Sequence, residues 1–175
     1  MGINIVLIEP EIPQNTGNIA RTCAAIGATL HLVHPLGFDI SEKAVKRAGL
    51  DYWDKLEIKE YSDLEDFKSH IKTSNMYFLS TKAKKVYTEV DYKDDVYLVF
   101  GPESRGIPED YILENFDHVI RIPMRKNIRS LNLSNSVAIV AYEVERKLNF
   151  KGLEEKSSYF ENITWHWQKS IIYNI

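Results

Sequence analysis

The chain has 175 residues, of which 44% are apolar and 27% charged, and its formal net charge is −3. These values suit one globular domain that buries its own core, and the slightly acidic balance by itself favours a small-molecule enzyme over a nucleic-acid-binding protein. Cys23 is the only cysteine, which excludes an intramolecular disulfide and a cysteine-rich zinc site. No apolar run reaches the length of a membrane span and residues 1–7 do not resemble a signal peptide, so we expect a cytoplasmic protein without a membrane partner.

Apolar runs of strand length alternate with segments of helical period along the chain. This pattern predicts an α/β fold with a mostly parallel sheet flanked by helices. The predicted strands cover residues 3–9, 29–34, 55–60, 76–80, 96–100 and 119–122. The predicted helices cover residues 16–26, 41–47, 62–72, 108–114 and a last segment from 132 or 134 to 148. We expect Gly27 to end the first helix in the left-handed conformation and Ser62 to begin a capping box with Glu65.

The chain contains no internal repeat, low-complexity tract or linker. We therefore predict one domain over residues 1–150, followed by an extension over residues 151–175. The extension is rich in aromatic residues, namely Tyr159, Phe160, Trp165, Trp167 and Tyr173. We expect these side chains to pack on the domain or on a partner subunit, and contact with substrate is the alternative.

Three segments lie beside predicted strand or helix ends, where open α/β sheets bind ligands: residues 11–21, 98–108 and 120–135. Singly, each has a structural explanation, because glycine and proline shape turns while asparagine and serine cap helices. The segment 101–106, GPESRG, is neither a Walker loop nor a dinucleotide fingerprint. Residues 9–13, EPEIP, lack the glycines that a nicotinamide dehydrogenase needs after its first strand. The segments therefore favour a flat, nucleoside-like ligand over a polyphosphate.

Residues suited to metal binding or nucleophilic catalysis do not cluster in the sequence. His31 and His34 are three apart on a predicted strand and so point to opposite faces of the sheet. Cys23 lies on the predicted apolar face of the first helix, where we expect a buried, unreactive thiol. The sequence has no Gly-x-Ser-x-Gly elbow of a serine hydrolase. We expect no metal site and a reaction without a covalent intermediate.

Basic residues concentrate in one part of the chain despite the net negative charge. Residues 119–135 contain four basic side chains and no acidic one, and residues 81–85 add three lysines. Such a surface can bind a phosphate backbone, although an ordinary solvated face is an equally good explanation from composition alone.

Four short motifs occur in a characteristic order: NTGNIAR at residues 15–21, FGPESRG at 100–106, IRIPM at 120–124 and SLNLSN at 130–135. With these motifs the chain resembles the SpoU class of the SPOUT superfamily over about residues 4–148. LIEPEIP at residues 7–13 and RAGLDY at 47–52 make it similar to the short members of that class, which methylate the 2'-hydroxyl of the wobble cytidine or uridine of tRNA.

The resemblance implies an S-adenosylmethionine-dependent methyltransferase that works as a homodimer on the tRNA anticodon stem-loop. It also implies a deep trefoil knot in the C-terminal half, which general rules of chain topology disfavour. Methylation at another position of tRNA or rRNA, or RNA binding without catalysis, are the alternative functions. By position, the implied cofactor-binding residues are Leu79, Gly101, Glu103, Ile122, Ser130 and Leu131.

The family assigns activation of the ribose hydroxyl to the arginine that ends the first motif, here Arg21. Because a guanidinium stays protonated in proteins, we expect Arg21 to bind the adjacent phosphate and to stabilise the developing alkoxide rather than to act as a base. Asn15 is the second catalytic candidate; it orients the same group or, alternatively, caps the first helix.

RNA-binding candidates follow from the basic segment and from the resemblance. Arg125, Lys126 and Arg129 are expected to hold the backbone of the anticodon loop. Tyr142 is expected to reach RNA bound mainly to the other subunit, or else to pack at the dimer interface.

Overall fold

The computed structural model describes residues 2–39 and 56–157. Within these ranges the strands are β1 (Ile3–Ile8), β2 (Thr29–Val33), β3 (Ile58–Tyr61), β4 (Met76–Leu79), β5 (Lys85–Val86), β6 (Val96–Phe100) and β7 (Val119–Arg121). The α-helices are α1 (Pro13–Ile26), α2 (Leu64–His70), α3 (Glu109–Glu114) and α4 (Leu133–Lys147). Short 3₁₀ turns cover Tyr87–Glu89 and Phe116–His118.

All strand pairs are parallel, and the seven strands form one sheet in the order β3-β2-β1-β6-β4-β7-β5. The α/β class with a parallel sheet is therefore confirmed. The chain runs outward from β1 through β2 to β3 and then crosses to β4 on the other side of β1. The chain thus leaves the carboxyl ends of the adjacent strands β1 and β6 in opposite directions. Open α/β sheets place their ligand sites at such a point.

Helices cover both faces of the sheet. Alternate residues of β1 face opposite sides: Ile5 and Leu7 pack in one core with α1 and α4, while Val6 and Ile8 pack in a second core with α2 and α3. The largest buried rings, Phe67 and Phe78, belong to the second core. Burial on both faces explains why the central strands are continuous apolar runs in the sequence.

The helix ends correct the sequence predictions in two places. The helix α1 begins at Pro13 rather than at Thr16, because proline fits the first turn of a helix. Gly27, at φ 69°, ends α1 as predicted. The N-cap of α2 is Asp63 rather than the predicted Ser62, and its carboxylate accepts a hydrogen bond of 2.8 Å from the Asp66 backbone.

Other predicted boundaries differ by a few residues. The third strand is Ile58–Tyr61 instead of 55–60, and the two-residue strand β5 was missed because two residues carry no detectable periodicity. Leu153, at the start of the predicted extension, packs against the core formed by α1 and α4. The predicted helix over residues 41–47 and the aromatic residues 159–173 lie outside the described residues.

Candidate active site

A cleft of about 600 Å³ opens at the carboxyl ends of β1, β4, β6 and β7. Its size is that of ordinary small-molecule sites. Three stretches provide most of its lining, namely residues 79–82, 100–107 and 122–133. All six residues predicted to bind the cofactor line this cleft, together with Asn15 and Arg129. Segments that are far apart in sequence therefore converge on one site at the edge of the sheet.

The second motif folds into a tight loop that only glycine permits at position 101. A Cβ atom on Gly101 would lie 2.2 Å from the carbonyl carbon of Gly106 and 2.2 Å from the Ile107 nitrogen. The Gly106 backbone donates to the Pro102 carbonyl at 2.9 Å, and Gly106 adopts φ 75°, in the left-handed region. This loop brings backbone groups to the wall of the cleft beside the apolar side chains of Leu79 and Ile122.

The buried side chain of Asn15 connects the motifs. Its Nδ2 donates to Glu103 Oε1 at 2.8 Å, and its Oδ1 accepts from Asn132 Nδ2 at 2.9 Å. Asn15 lies in the first turn of α1, whose N-cap is Ile12. The alternative that Asn15 caps this helix is therefore wrong, and its amide instead joins the loop after β6 to the start of α4.

Asn132 has two structural roles at this point. Its Oδ1 accepts from the backbone of Ser134 at 2.9 Å and from the Ser134 hydroxyl at 2.7 Å, so it caps α4 while its Nδ2 holds Asn15. The sequence predicted the cap but missed the link to Asn15, because 117 residues separate the two positions.

Two acidic residues after β1 contact the loop after β6. The Glu11 carboxylate accepts from the Ser104 backbone at 2.9 Å and from the Ser104 hydroxyl at 2.6 Å, while the Glu11 backbone donates to Glu103 Oε2 at 2.9 Å. The Ser104 hydroxyl holds the pKa of Glu11 below its usual range. Arg105 forms an ion pair with Glu9. Apart from Glu103, the sequence predicts no role for these residues, since nothing local indicates the pairing.

Three cations line the cleft, and two of them are paired. Lys82 contacts Glu109 at 2.8 Å and Arg105 contacts Glu9. Within residues 2–39 and 56–157, Arg129 has no acidic partner. Arg129 is therefore the cleft cation most available to an anionic ligand.

The other four predicted site residues lie outside the cleft lining. Arg21 is exposed on α1, Arg125 and Lys126 are exposed in the loop between β7 and α4, and Tyr142 is 47% exposed on α4. The structure thus brings together Asn15, Arg129 and the six predicted cofactor residues, but not these four. Their roles stay predictions.

Among the described residues, no group of three or more His, Cys, Asp or Glu side chains is arranged to hold a metal ion. His31 is fully buried; one ring nitrogen lies 2.9 Å from the Tyr61 hydroxyl and the other 3.1 Å from Asn4 Oδ1. Cys23 is buried as predicted, and burial raises its pKa to about 12. In the same part of the chain, every helix is too short or too polar to span a bilayer.

The parallel sheet, with a cleft at its carboxyl edge, defines an α/β enzyme fold of the kind that binds a nucleoside-like ligand. The chain belongs to the SpoU rRNA Methylase family, whose model matches residues 2–142. The predicted resemblance to the SpoU class is therefore confirmed.

Individual relatives agree with this assignment. The chain is 48% identical over 151 residues to the tRNA (cytidine(34)-2'-O)-methyltransferase of Saccharophagus degradans, covering 85% of this chain and 97% of the relative. A solved structure concerned with the 2-OH methylation of C/U34 on tRNA superposes with a TM-score of 0.79 at 40% identity, covering 85% of this chain and 97% of that one. An AdoMet-bound rRNA methyltransferase from Sinorhizobium meliloti gives a TM-score of 0.73 at 26% identity, covering 84% and 57%.

Proposed function

We propose that this chain uses S-adenosylmethionine to methylate the 2'-hydroxyl of the wobble cytidine or uridine, nucleotide 34, of tRNA. The observation that carries the proposal is the convergence of the four motifs on one cleft, where the two hydrogen bonds of the Asn15 amide join the first, second and fourth of them. The S. degradans relative is named for this reaction. The extent of the similarity, which spans nearly the whole relative, supports carrying the activity over.

The residues of the cleft fit the proposed cofactor. The loop that depends on Gly101 offers backbone groups to a flat heterocycle, and Leu79, Ile122 and Leu131 provide apolar surface beside it. Glu103 lines the same wall, but Asn15 and the Glu11 backbone occupy its two oxygens, so we assign it to shaping the pocket. Ser130 also lines the cleft.

Methyl transfer at the ribose requires positioning and stabilisation of charge. When bound beside Leu79, Ile122 and Leu131, S-adenosylmethionine would supply an electrophilic methyl group for in-line transfer to the ribose oxygen, with the sulfur as leaving group and a neighbouring phosphate oxygen as acceptor of the hydroxyl proton. Arg21 binds that phosphate and stabilises the developing alkoxide. Arg125, Lys126 and Arg129 bind the backbone of the anticodon loop.

The proposal includes a homodimer. Arg21 and Tyr142 lie on α1 and α4 outside the cleft of their own chain. If a second copy packed on these helices, Arg21 and Tyr142 of one copy would approach RNA bound in the cleft of the other. The exposed side chains of Ile139 and Tyr142 on α4 support such a contact.

Further parts of the proposal rest on the family. We propose residues 1–150 as the catalytic domain with a trefoil knot in its C-terminal half, and residues 151–175 as an extension packed on the domain or the partner. The packing of Leu153 supports the beginning of that arrangement. The site of action is the cytoplasm, where tRNA is found.

The test uses two synthetic anticodon stem-loops that differ in one atom. One carries cytidine at the wobble position and the other 2'-deoxycytidine, and each is incubated with the chain and methyl-labelled S-adenosylmethionine. We expect label in the first only, and mass spectrometry of the digested product should locate it on the ribose of nucleotide 34. Label in the deoxy substrate or at another nucleotide would contradict the proposal, and bound cofactor without transfer would favour a non-catalytic RNA-binding module.

A further inference from the structure

The contact between Glu11 and Ser104 joins two loops that have different tasks in the proposed reaction. Ser104 belongs to the loop after β6, which lines the cleft. Glu11 immediately precedes α1, which carries Asn15 and Arg21, and Glu11 itself does not line the cleft. Two hydrogen bonds from Ser104, at 2.9 and 2.6 Å, end on the Glu11 carboxylate. The cofactor wall is thus attached to the helix that carries both catalytic candidates.

Other features hold the same short segment in place. Glu9 adopts φ 45°, in the left-handed region that is uncommon for non-glycine residues, and its side chain pairs with Arg105. On the other side, Gly37 donates to the Pro10 carbonyl at 2.9 Å, and a Cβ on Gly37 would lie 2.8 Å from the Glu11 Cα. The segment before α1 therefore has little freedom while these contacts persist.

We propose that Glu11 and Ser104 are positioning residues that set the first turns of α1 relative to the cofactor wall. This inference rests on the proposed function. The contact holds Asn15, in the first turn of α1, in place against the cofactor wall of the same chain, and Glu11 itself does not line the cleft. Loss of the contact therefore slows the transfer step more than it weakens cofactor binding.

The reason lies in how strongly transfer depends on geometry. A bound methyl donor reacts only when donor carbon, acceptor oxygen and charge-stabilising groups are aligned, and a displacement of about 1 Å can reduce the rate by about 100-fold. Cofactor affinity depends instead on the loop around Gly101, which its own close approach to Gly106 and Ile107 keeps in shape. A change in the contact between Glu11 and Ser104 can therefore alter the transfer rate without altering cofactor affinity.

The test is a double-mutant cycle with Glu11→Ala, Ser104→Ala and the double variant. Single-turnover methylation is measured at saturating S-adenosylmethionine and stem-loop, and S-adenosylhomocysteine affinity and thermal unfolding are measured in parallel. We expect each single variant to lower the rate by about 10- to 100-fold, with affinity within about three-fold of wild type. The double variant should be no slower than Glu11→Ala, because Glu11→Ala already removes both hydrogen bonds and Ser104→Ala removes only the one from the hydroxyl.

Two further variants separate positioning from folding. Ser104→Thr keeps the backbone N–H and the hydroxyl and should restore most of the rate. Glu60→Ala removes an exposed carboxylate of β3 that pairs with His34 and does not line the cleft, and it should leave the rate unchanged. Single variants that transfer at the wild-type rate, or a double variant whose loss is the product of the two single losses, would overturn the positioning role. A wild-type protein that binds no cofactor or methylates no stem-loop would instead overturn the proposed function.

Discussion

Asn132 and Asn15 are 117 residues apart in the chain and are joined by a hydrogen bond of 2.9 Å. The chemistry of their partners determines the orientation of both amides. Asn132 Oδ1 accepts from Ser134, so only its Nδ2 is available to Asn15. Asn15 must then present Oδ1 to Asn132 and Nδ2 to the Glu103 carboxylate, which is an acceptor. An asparagine suits the position because its amide offers a donor and an acceptor on two separate atoms.

Replacing Asn15 by aspartate tests this arrangement directly. Asn15→Asp keeps the acceptor for Asn132 but places a second carboxylate against Glu103, at the position of a 2.8 Å hydrogen bond. We expect a loss of about 2 kcal/mol in the free energy of unfolding at pH 8. The loss should shrink at pH 5, because protonation of either carboxyl removes the repulsion and restores a donor. Urea unfolding at both pH values measures the difference.

The matched control is Asn18→Asp, which makes the same charge change at an exposed position of α1. Its effect on unfolding should be within about 0.5 kcal/mol of zero at both pH values. An equal, pH-independent loss in the two variants would show that the network around Asn15 contributes nothing specific.

Gly101→Ala should abolish cofactor binding. The new methyl group would lie 2.2 Å from backbone atoms of Gly106 and Ile107, which cannot move aside without opening the loop that lines the cleft. We expect the affinity for S-adenosylhomocysteine, measured by calorimetry, to fall by at least about 100-fold, since the pocket wall itself is displaced.

Gly27→Ala separates this effect from a general loss of stability. Gly27 has φ 69° and open space around it, at the end of α1 away from the cleft. An alanine there should cost about 1 kcal/mol of stability without changing cofactor affinity. Normal binding by Gly101→Ala would remove the loop from the candidate site.

The sequence predicts the elements well because strands and helices leave local periodic signals. It also predicts a ligand site at the three loops beside strand and helix ends, whereas the individual cofactor residues in them follow from the family resemblance. The contacts of Asn15 with Asn132 and of Glu11 with Ser104 could not be predicted. Each joins residues about 90 or more positions apart through side-chain geometry, and only the assembled sheet determines which loops become neighbours. Likewise, Asn15 as a helix cap was a sound local prediction, overturned because Pro13 extends the helix by one turn.

His31 should make the stability of the fold depend on pH. Burial, with the nearby Lys59 charge, lowers the pKa of His31 to about 4. The unfolded chain therefore takes up a proton near pH 6.5 that the folded chain resists, and stability present above that pH is lost as the pH falls toward 4. We expect this group to contribute a loss of about 2 kcal/mol between about pH 7.5 and about pH 5, seen by urea unfolding as the difference between wild type and His31→Gln.

If His31→Gln and wild type lose stability in parallel on acidification, His31 is not the responsible group.

Arg129→Ala should weaken RNA binding in a way that depends on salt. Arg129 lines the cleft and has no acidic partner among the described residues, so a phosphate is its expected ligand. Removing one phosphate contact should lower the slope of log Kd against log salt concentration by about 0.7, the value for single-stranded nucleic acid. Fluorescence anisotropy with a labelled anticodon stem-loop measures the slope. Lys72→Ala, which removes an exposed cation after α2 that does not line the cleft, should leave the slope unchanged.

Ile139→Glu tests the homodimer and its role in catalysis together. Ile139 and Tyr142 are 39% and 47% exposed on α4, and a charge placed between two copies at this face would remain without a partner. We expect the wild type to sediment at twice the 20.3 kDa chain mass and Ile139→Glu at the single mass.

Because the cleft lies within one chain, the variant should still bind S-adenosylhomocysteine. Transfer should nevertheless fall by about 100-fold, since Arg21 and Tyr142 of the other copy are absent. Leu113→Glu makes the same change at an exposed position of α3, on the other face of the sheet, and should leave both mass and rate unaltered. A monomeric Ile139→Glu protein that transfers at the wild-type rate would show that one chain contains the complete active site.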